Sequence, residues 1–250
     1  MHRFFVPPEV LTHDPVMLTG EPAHHIGRVL RMRPGDRVLL LDNAGWAYEV
    51  ELTRFERNRV EGRIVRKAPA GGEPQTRITL YQALLKGHGF ELVLQKGTEV
   101  GIAEFVPILC ERCIMGGLAD MEGHRQERWE KIIRGAAEQS HRGRLPILRP
   151  PAPFAQALPQ AARADLCLLP WEEAHGLSLR GAIEAHSAAG GKPRSISLFI
   201  GPEGGLSAEE VQSARGAGIQ PVTLGPRILR AETAGLVAAA AILYALGDLE

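Results

Sequence analysis

The sequence carries no net charge, because 29 lysines and arginines balance 29 aspartates and glutamates. Bulk electrostatics therefore give no case for a nucleic-acid partner, and any such case must rest on local patterning. No apolar run approaches the ~20 residues of a membrane span. The opening Met1-His-Arg-Phe-Phe-Val-Pro-Pro8 lacks the apolar stretch of a signal peptide. The expectation is a cytoplasmic protein with no membrane partner. Cysteine is scarce, three in 250 residues, an odd count that suits a reducing compartment better than a disulfide framework. Cys110-Glu-Arg-Cys113 has the spacing of a redox motif or of half a zinc site. Structural zinc takes four ligands, whereas Cys167 has no neighbour in sequence and His124 stands isolated. Packing is the expected role of these cysteines, and no metal is expected. The glycine-rich turns match neither G-x-G-x-x-G nor the Gly-Lys-Ser/Thr ending of a Walker loop, which weighs against NAD and nucleoside triphosphate chemistry.

What the chain does have is a pair of glycine-proline turns in its last quarter. Ile196–Ile200 leads into Gly201-Pro-Glu-Gly-Gly205 and then Leu206-Ser-Ala-Glu-Glu210. Val222-Thr-Leu224 leads into Gly225-Pro-Arg-Ile-Leu-Arg230 and then Ala231-Glu-Thr-Ala234. Each reads as a short strand, a turn and a helix start. In open α/β sheets, ligands bind where loops leave the carboxyl ends of parallel strands. Glycines allow close backbone approach to a ligand, and proline stiffens the turn. Either turn alone could be purely structural; the pair is the rarer feature. Arg227 and Arg230 fall beside the expected pocket, and Glu232 suits the positive end of a helix.

The rest of the chain divides in two. Asp36–Asp42, Trp46–Leu52 and Val60–Val65 read as strands, with Asp42-Asn-Ala-Gly45 as a turn. In the middle strand Trp46, Tyr48, Val50 and Leu52 share one face. A short helix is expected over His24–Arg31, near Pro22. Ala68–Pro74 reads as a linker. Beyond it, strands over Ile78–Leu85, Phe105–Leu109, Leu166–Leu169 and Ile196–Ile200 alternate with helices over Phe90–Val100, Arg125–Ser140 and Thr233–Leu246. Ser207 and Glu210 form a capping box for one more helix. This alternation predicts a parallel sheet with helices on both faces.

Three further segments complete a resemblance: Leu85-Lys-Gly-His-Gly-Phe…Gly101, Arg128-Trp-Glu-Lys-Ile-Ile133, and Ala136-Ala-Glu-Gln-Ser140 with Arg142. With the two turns, they resemble the bacterial 16S ribosomal RNA uridine N3-methyltransferases of the SPOUT class. The likeness spans nearly the whole chain. It implies an α/β fold: a trefoil-knotted, parallel-sheet SPOUT methyltransferase domain over residues 73–250, preceded by a small β-barrel, PUA-like RNA-binding domain over residues 1–72. It also implies a homodimer and a partner in 16S ribosomal RNA of the small subunit.

The same resemblance implies S-adenosylmethionine as cofactor. Leu169 and Pro170 would contact it from one strand end, and Ile200, Gly201, Gly204 and Gly205 from the first turn. The second turn would add Leu224, Gly225, Ile228, Leu229, Arg230 and Thr233. Uracil N3 lies on the Watson–Crick edge, so the target base must be unpaired or extruded. A cation aimed at the developing uracil anion would stabilise the transition state, and Arg230 is the expected catalytic residue. Arg28, Arg31, Lys86, Arg142, Arg144 and Arg227 are the expected RNA contacts. Two rival readings are a ribose 2′-O-methyltransferase of the same class and an RNA-binding assembly factor without turnover.

Overall fold

A computed structural model describes residues 1–113 and 124–249. They fall into two units, Met1–Glu73 with Arg134–Leu145, and Pro74–Ile133 with Pro146–Glu250. No helix among the described residues is long and apolar enough to cross a membrane.

The first unit carries β1 (Arg3–Phe5), β2 (Val16–Thr19), the short helix α1 (Gly20–His24), β3 (Arg37–Leu41), β4 (Trp46–Glu56) and β5 (Arg59–Pro69). The strands form one sheet in the order β1-β3-β4-β5-β2. β1 pairs parallel with β3, and the other pairings are antiparallel. One apolar cluster, including Val16, Ile26, Val38, Leu40, Val50 and Leu52, fills one face. The helix expected at His24–Arg31 starts earlier, at Gly20, and widens into a π-turn over His25–Val29. Pro22 lies in its first turn, where backbone N–H groups have no helical partner to lose.

Two details depart from the sequence pattern. Val50 and Leu52 are buried as alternation requires, but Trp46 is exposed and Ala47 is buried. The cause is a second cover: Ala47 packs with Phe5, Leu41 and Ala137 on the opposite face of the sheet. Ala68 and Pro69 are not linker but the last rungs of β5, opposite Ala47 and Trp46. β2 pairs only with Arg59–Gly62, so Pro69 removes no donor that a second neighbour needs.

The cover comes from Arg134–Leu145, distant in sequence. Arg134 Nη1 donates to the Phe5 carbonyl at 2.9 Å, and the Phe5 N–H donates to Glu138 Oε1 at 3.0 Å. These bonds satisfy the outer edge of β1, which would otherwise be open to mispairing. Arg142 is only 2% exposed. Its Nη2 donates to Glu73 Oε2 at 2.6 Å and its Nε to Glu73 Oε1 at 3.2 Å. The Gly143 and Arg144 N–H groups add bonds to the same Oε1. Arg142, expected at RNA phosphate, is thus an internal fastener whose guanidinium is spent on a carboxylate. Arg142→Ala should lower stability by roughly 3 kcal/mol, because it strands a carboxylate beside a buried gap. Denaturant unfolding monitored by circular dichroism checks this, and an unchanged midpoint would refute it.

The second unit carries β6 (Arg77–Ala83), α2 (Gly89–Val100), β7 (Glu104–Leu109), α3 (His124–Gln139), β8 (Ile147–Leu148), β9 (Ala152–Pro153) and α4 (Phe154–Ala161). It continues with β10 (Leu166–Pro170), α5 (Leu179–Gly190), β11 (Ser195–Ile200), α6 (Ala208–Gly216), β12 (Gln220–Val222) and α7 (Ala231–Leu246). The division between units falls within α3, after Ile133. The sheet runs β12-β10-β11-β6-β7-β8, with β9 also on β7, and every pairing is parallel.

Both faces of this sheet are covered, which explains the near-continuous apolar strands. Leu80, Leu168, Ile196 and Leu198 point into one cluster with Phe90 and Leu94 of α2, Ile183 of α5 and Ile242 of α7. Tyr81, Cys167, Leu169 and Phe199 point into the other, with Phe154 of α4 and Val211 of α6. Tyr81 and Phe199 stack there with centroids 4.4 Å apart. The expected capping box forms: the Glu210 N–H donates to Ser207 Oγ at 3.3 Å, and the Ser207 N–H donates to Glu210 Oε2 at 2.9 Å. α4 and α5 were not expected. α4 is eight residues long with Pro159 inside it, too short to display a helical period.

Candidate functional site

β10 lies between β11 and β12. The three loops that leave their carboxyl ends therefore converge on one edge of the sheet, the position where such sheets bind ligands. They enclose a cavity of about 1080 Å³.

The first turn is held by its own backbone and by two distant residues. The Gly205 N–H donates to the Pro202 carbonyl at 2.9 Å, with Gly205 at φ +71°. Glu203 Oε1 accepts the backbone N–H of Lys86 at 2.9 Å, tying the turn to the loop after β6. Arg112 Nη1 donates to the Gly204 carbonyl at 3.1 Å. The glycines serve protein contacts as well as a ligand. A Cβ on Gly204 would lie 3.3 Å from Arg112 Cβ, and one on Gly205 would lie 2.5 Å from Glu172 Oε1. In the second turn Gly225 adopts φ +104°, and a Cβ there would meet nothing within 4 Å.

Arg230 is the N-cap residue of α7; its carbonyl accepts the Thr233 N–H at 2.9 Å and the Ala234 N–H at 2.8 Å. Its backbone is thereby fixed while its side chain lines the cavity. Among the described residues neither Arg230 nor Arg227 has an ion-pair partner, and both are exposed. Glu232 sits in the first turn of α7, where the helix dipole favours negative charge.

Of the residues expected at a cofactor, Pro170, Ile200, Gly201, Gly205, Leu224, Gly225, Ile228, Leu229 and Arg230 line the cavity. Three do not. Leu169 is fully buried in the cluster with Phe199, because alternation along β10 turns it into the sheet packing. Gly204 directs its missing side chain at Arg112. Thr233 is exposed in the first turn of α7, away from the lining. Of the expected RNA contacts, Lys86 and Arg227 line the cavity. Arg28 and Arg31 are exposed on the first unit. Arg144 is exposed, with Nη2 donating to the Ala44 carbonyl at 2.8 Å.

Sequence reasoning missed the loop after β10, which contributes Trp171, Glu172, His175 and Gly176 to the lining. The signal was available, since Leu166–Leu169 already reads as a buried strand and its carboxyl end belongs to the same edge. Glu203 and Glu232 also line the cavity. Three carboxylates, three cations and apolar Leu224, Ile228 and Leu229 make a site for a ligand with both charged and apolar parts.

The RNA methyltransferase domain family matches residues 72–243, and the RNA methyltransferase PUA domain family matches residues 18–65. A Bacillus subtilis protein named ribosomal RNA small subunit methyltransferase E is 35% identical over 230 residues, covering 91% of this chain and 89% of its own length. The crystal structure of a ribosomal RNA small subunit methyltransferase E from Neisseria gonorrhoeae, bound to S-adenosylmethionine, superposes with a TM-score of 0.84 at 34% identity. That match covers 98% of this chain and 97% of the other. A Legionella pneumophila protein described as a methyltransferase, in complex with S-adenosylmethionine, superposes with a TM-score of 0.87 at 32% identity over 98% of both chains.

Proposed function

This chain belongs to the RNA methyltransferase family, and from that premise we propose that it methylates N3 of a specific uridine in 16S ribosomal RNA, using S-adenosylmethionine. Its architecture is of the SPOUT type with a PUA-like first unit. The observation that carries the reading is one cavity lined by both glycine-proline turns and by Arg230, which has no ion-pair partner among the described residues.

The cavity suits the cofactor in size and character. Leu224, Ile228 and Leu229 offer apolar contact for an adenine ring. Glu172, Glu203 and Glu232 offer negative charge to a sulfonium and an ammonium. Bound S-adenosylmethionine supplies a methyl group activated by its sulfonium sulfur. The N3 proton of uracil must leave before or during attack, so negative charge develops on the base. Arg230, which lines the cavity, is the residue this reading assigns to meet that charge. Arg28, Arg31, Lys86, Arg144 and Arg227 serve as phosphate contacts in this reading, with affinity that falls as salt rises.

The protein acts as a cytoplasmic homodimer in the same reading. α7 buries Gly235, Ala238, Ala239, Ile242, Leu243 and Leu246 within its own subunit. Its outer side still exposes Val237 at 45% and Tyr244 at 69%, apolar surface that a second copy would cover. Light scattering should give twice the chain mass at assay concentration; an active monomer would end the dimer assignment. Function is tested by incubating the protein with labelled cofactor and unmethylated small-subunit particles, then analysing nucleosides. Label in 3-methyluridine mapped to one site is expected. Label in a ribose 2′-O-methyl group, or none, would replace the reading with one of its two rivals.

A further inference from the structure

Neither the cavity nor the RNA contacts explain the Cys110-Glu-Arg-Cys113 segment that follows β7. The four residues form a tight turn: the Cys113 N–H donates to the Cys110 carbonyl at 3.1 Å, and the Cys110 N–H donates to Cys113 Sγ at 3.3 Å. Both thiols are free, Cys110 buried and Cys113 half-buried. The turn thus brings a half-buried cysteine back onto the backbone of a buried one.

The two residues between them bond to the carboxyl end of the Gly201–Gly205 turn and to the first turn of α6. Arg112 Nη1 holds the Gly204 carbonyl. The Glu111 N–H donates to Glu210 Oε1 at 2.8 Å, and the other oxygen of Glu210 accepts the Ser207 N–H in the capping box. These bonds link the Cys110–Cys113 turn directly to the turn that walls the cavity and to the capping box behind it. Hydrogen bonding from the Cys110 thiol, assisted by the Cys110 N–H and opposed by burial, pushes the Cys113 thiol down. The thiolate, not the thiol, is the nucleophile toward oxidants. The bond to Cys113 and burial push Cys110 up, which keeps it a thiol in the resting state.

We propose that Cys110 and Cys113 are an oxidisable dithiol, which a hydroperoxide converts into an intramolecular disulfide that loosens the cofactor turn. The second clause rests on the reading of the cavity as the cofactor site. In the first step the Cys113 thiolate attacks one peroxide oxygen. The O–O bond breaks, a sulfenic acid forms, and the other oxygen leaves as water or alcohol after taking a proton. In the second step the Cys110 sulfur attacks Cys113 Sγ. The S–S bond forms, the S–O bond breaks, and hydroxide leaves as water with the Cys110 proton. The two thiols give up two electrons and two protons, and the peroxide is reduced. Cys167 is an internal control: it is buried in β10, with Sγ donating to the Ala161 carbonyl at 3.1 Å.

The test uses the full chain, first reduced and then treated with hydrogen peroxide. After denaturation and alkylation, mass spectrometry should find Cys110 joined to Cys113 and Cys167 alkylated, and a dithiol reductant should reverse the change. Cys110→Ser should stop at a sulfenic acid that dimedone traps on Cys113, and Cys113→Ser should form neither product. In calorimetry the oxidised wild type should bind S-adenosylmethionine about tenfold more weakly than the reduced form, within the usual range of coupled sites. Cys113→Ser should bind equally before and after peroxide. No reaction, a cross-link between chains, sulfinic acid without a disulfide, or oxidation of Cys167 instead would overturn the dithiol assignment. A disulfide that leaves cofactor affinity unchanged would overturn the coupling. Failure of the reduced protein to bind S-adenosylmethionine would overturn the cavity reading, while the mass data still decide the dithiol.

Discussion

Gly205→Val should weaken S-adenosylmethionine binding by at least about 100-fold, or ~2.7 kcal/mol, in a protein that remains folded. Two effects act together. Gly205 sits at φ +71°, a left-handed conformation that costs a non-glycine residue ~1–3 kcal/mol and is worst for a β-branched one. A Cβ there would also lie 2.5 Å from Glu172 Oε1, so the carboxylate must move. Glu172 and Gly205 both line the cavity, and the distortion falls on its wall rather than on the core. Gly225→Ala is the informative comparison. It too imposes a positive φ, but its Cβ meets nothing within 4 Å. It should lose less affinity, through backbone strain alone. Calorimetry on both variants, with circular dichroism as a check on folding, measures the difference. Equal affinity of a folded Gly205→Val variant and the wild type would remove the first turn from the cofactor site.

The sequence made both turns legible because strand, glycine-proline turn and helix cap are adjacent in the chain. Ser207 and Glu210 could be paired by eye since a capping box spans four residues. What secures the turns could not be read this way. Glu203 meets the Lys86 backbone across 117 residues, and Arg112 meets Gly204 across 92. Arg142 was misjudged for a related reason: residue type favours exposure, and only the fold brings Glu73 to it from 69 positions away. The pattern of α3 was read correctly as helical but not as divided. Trp129 and Ile133 pack into the cluster of the parallel sheet, while Ala137 packs with Phe5 and Leu41. A hydrophobic period shows that a helix face is buried, not that successive turns are buried against different partners. β1 and β2, three and four residues long, are too short for alternation to register.

Arg230→Ala should lower kcat by about 10²–10³-fold, the loss seen when one preorganised donor to a developing anion is removed. Affinity for S-adenosylmethionine should change far less, since a contact made in the transition state lowers turnover rather than ground-state binding. The distinction between Arg230 and Arg227 follows from their anchoring. Both line the cavity, but the Arg230 carbonyl is locked by two N–H groups at the start of α7, so its side chain springs from a fixed point. Arg227 stands in the middle of the turn, among exposed residues. Arg227→Ala should therefore raise the KM for ribosomal particles and flatten its salt dependence, with kcat largely kept. Arg230→Lys should recover part of the lost turnover, because it restores the charge without the planar fork of donors. A role confined to capping α7 would look different, since the cap bonds come from the backbone and survive truncation. If Arg230→Ala loses melting temperature and cofactor affinity together, it is a structural residue. If it turns over at the wild-type rate, the stabilising cation must be sought at Arg227 or Lys86.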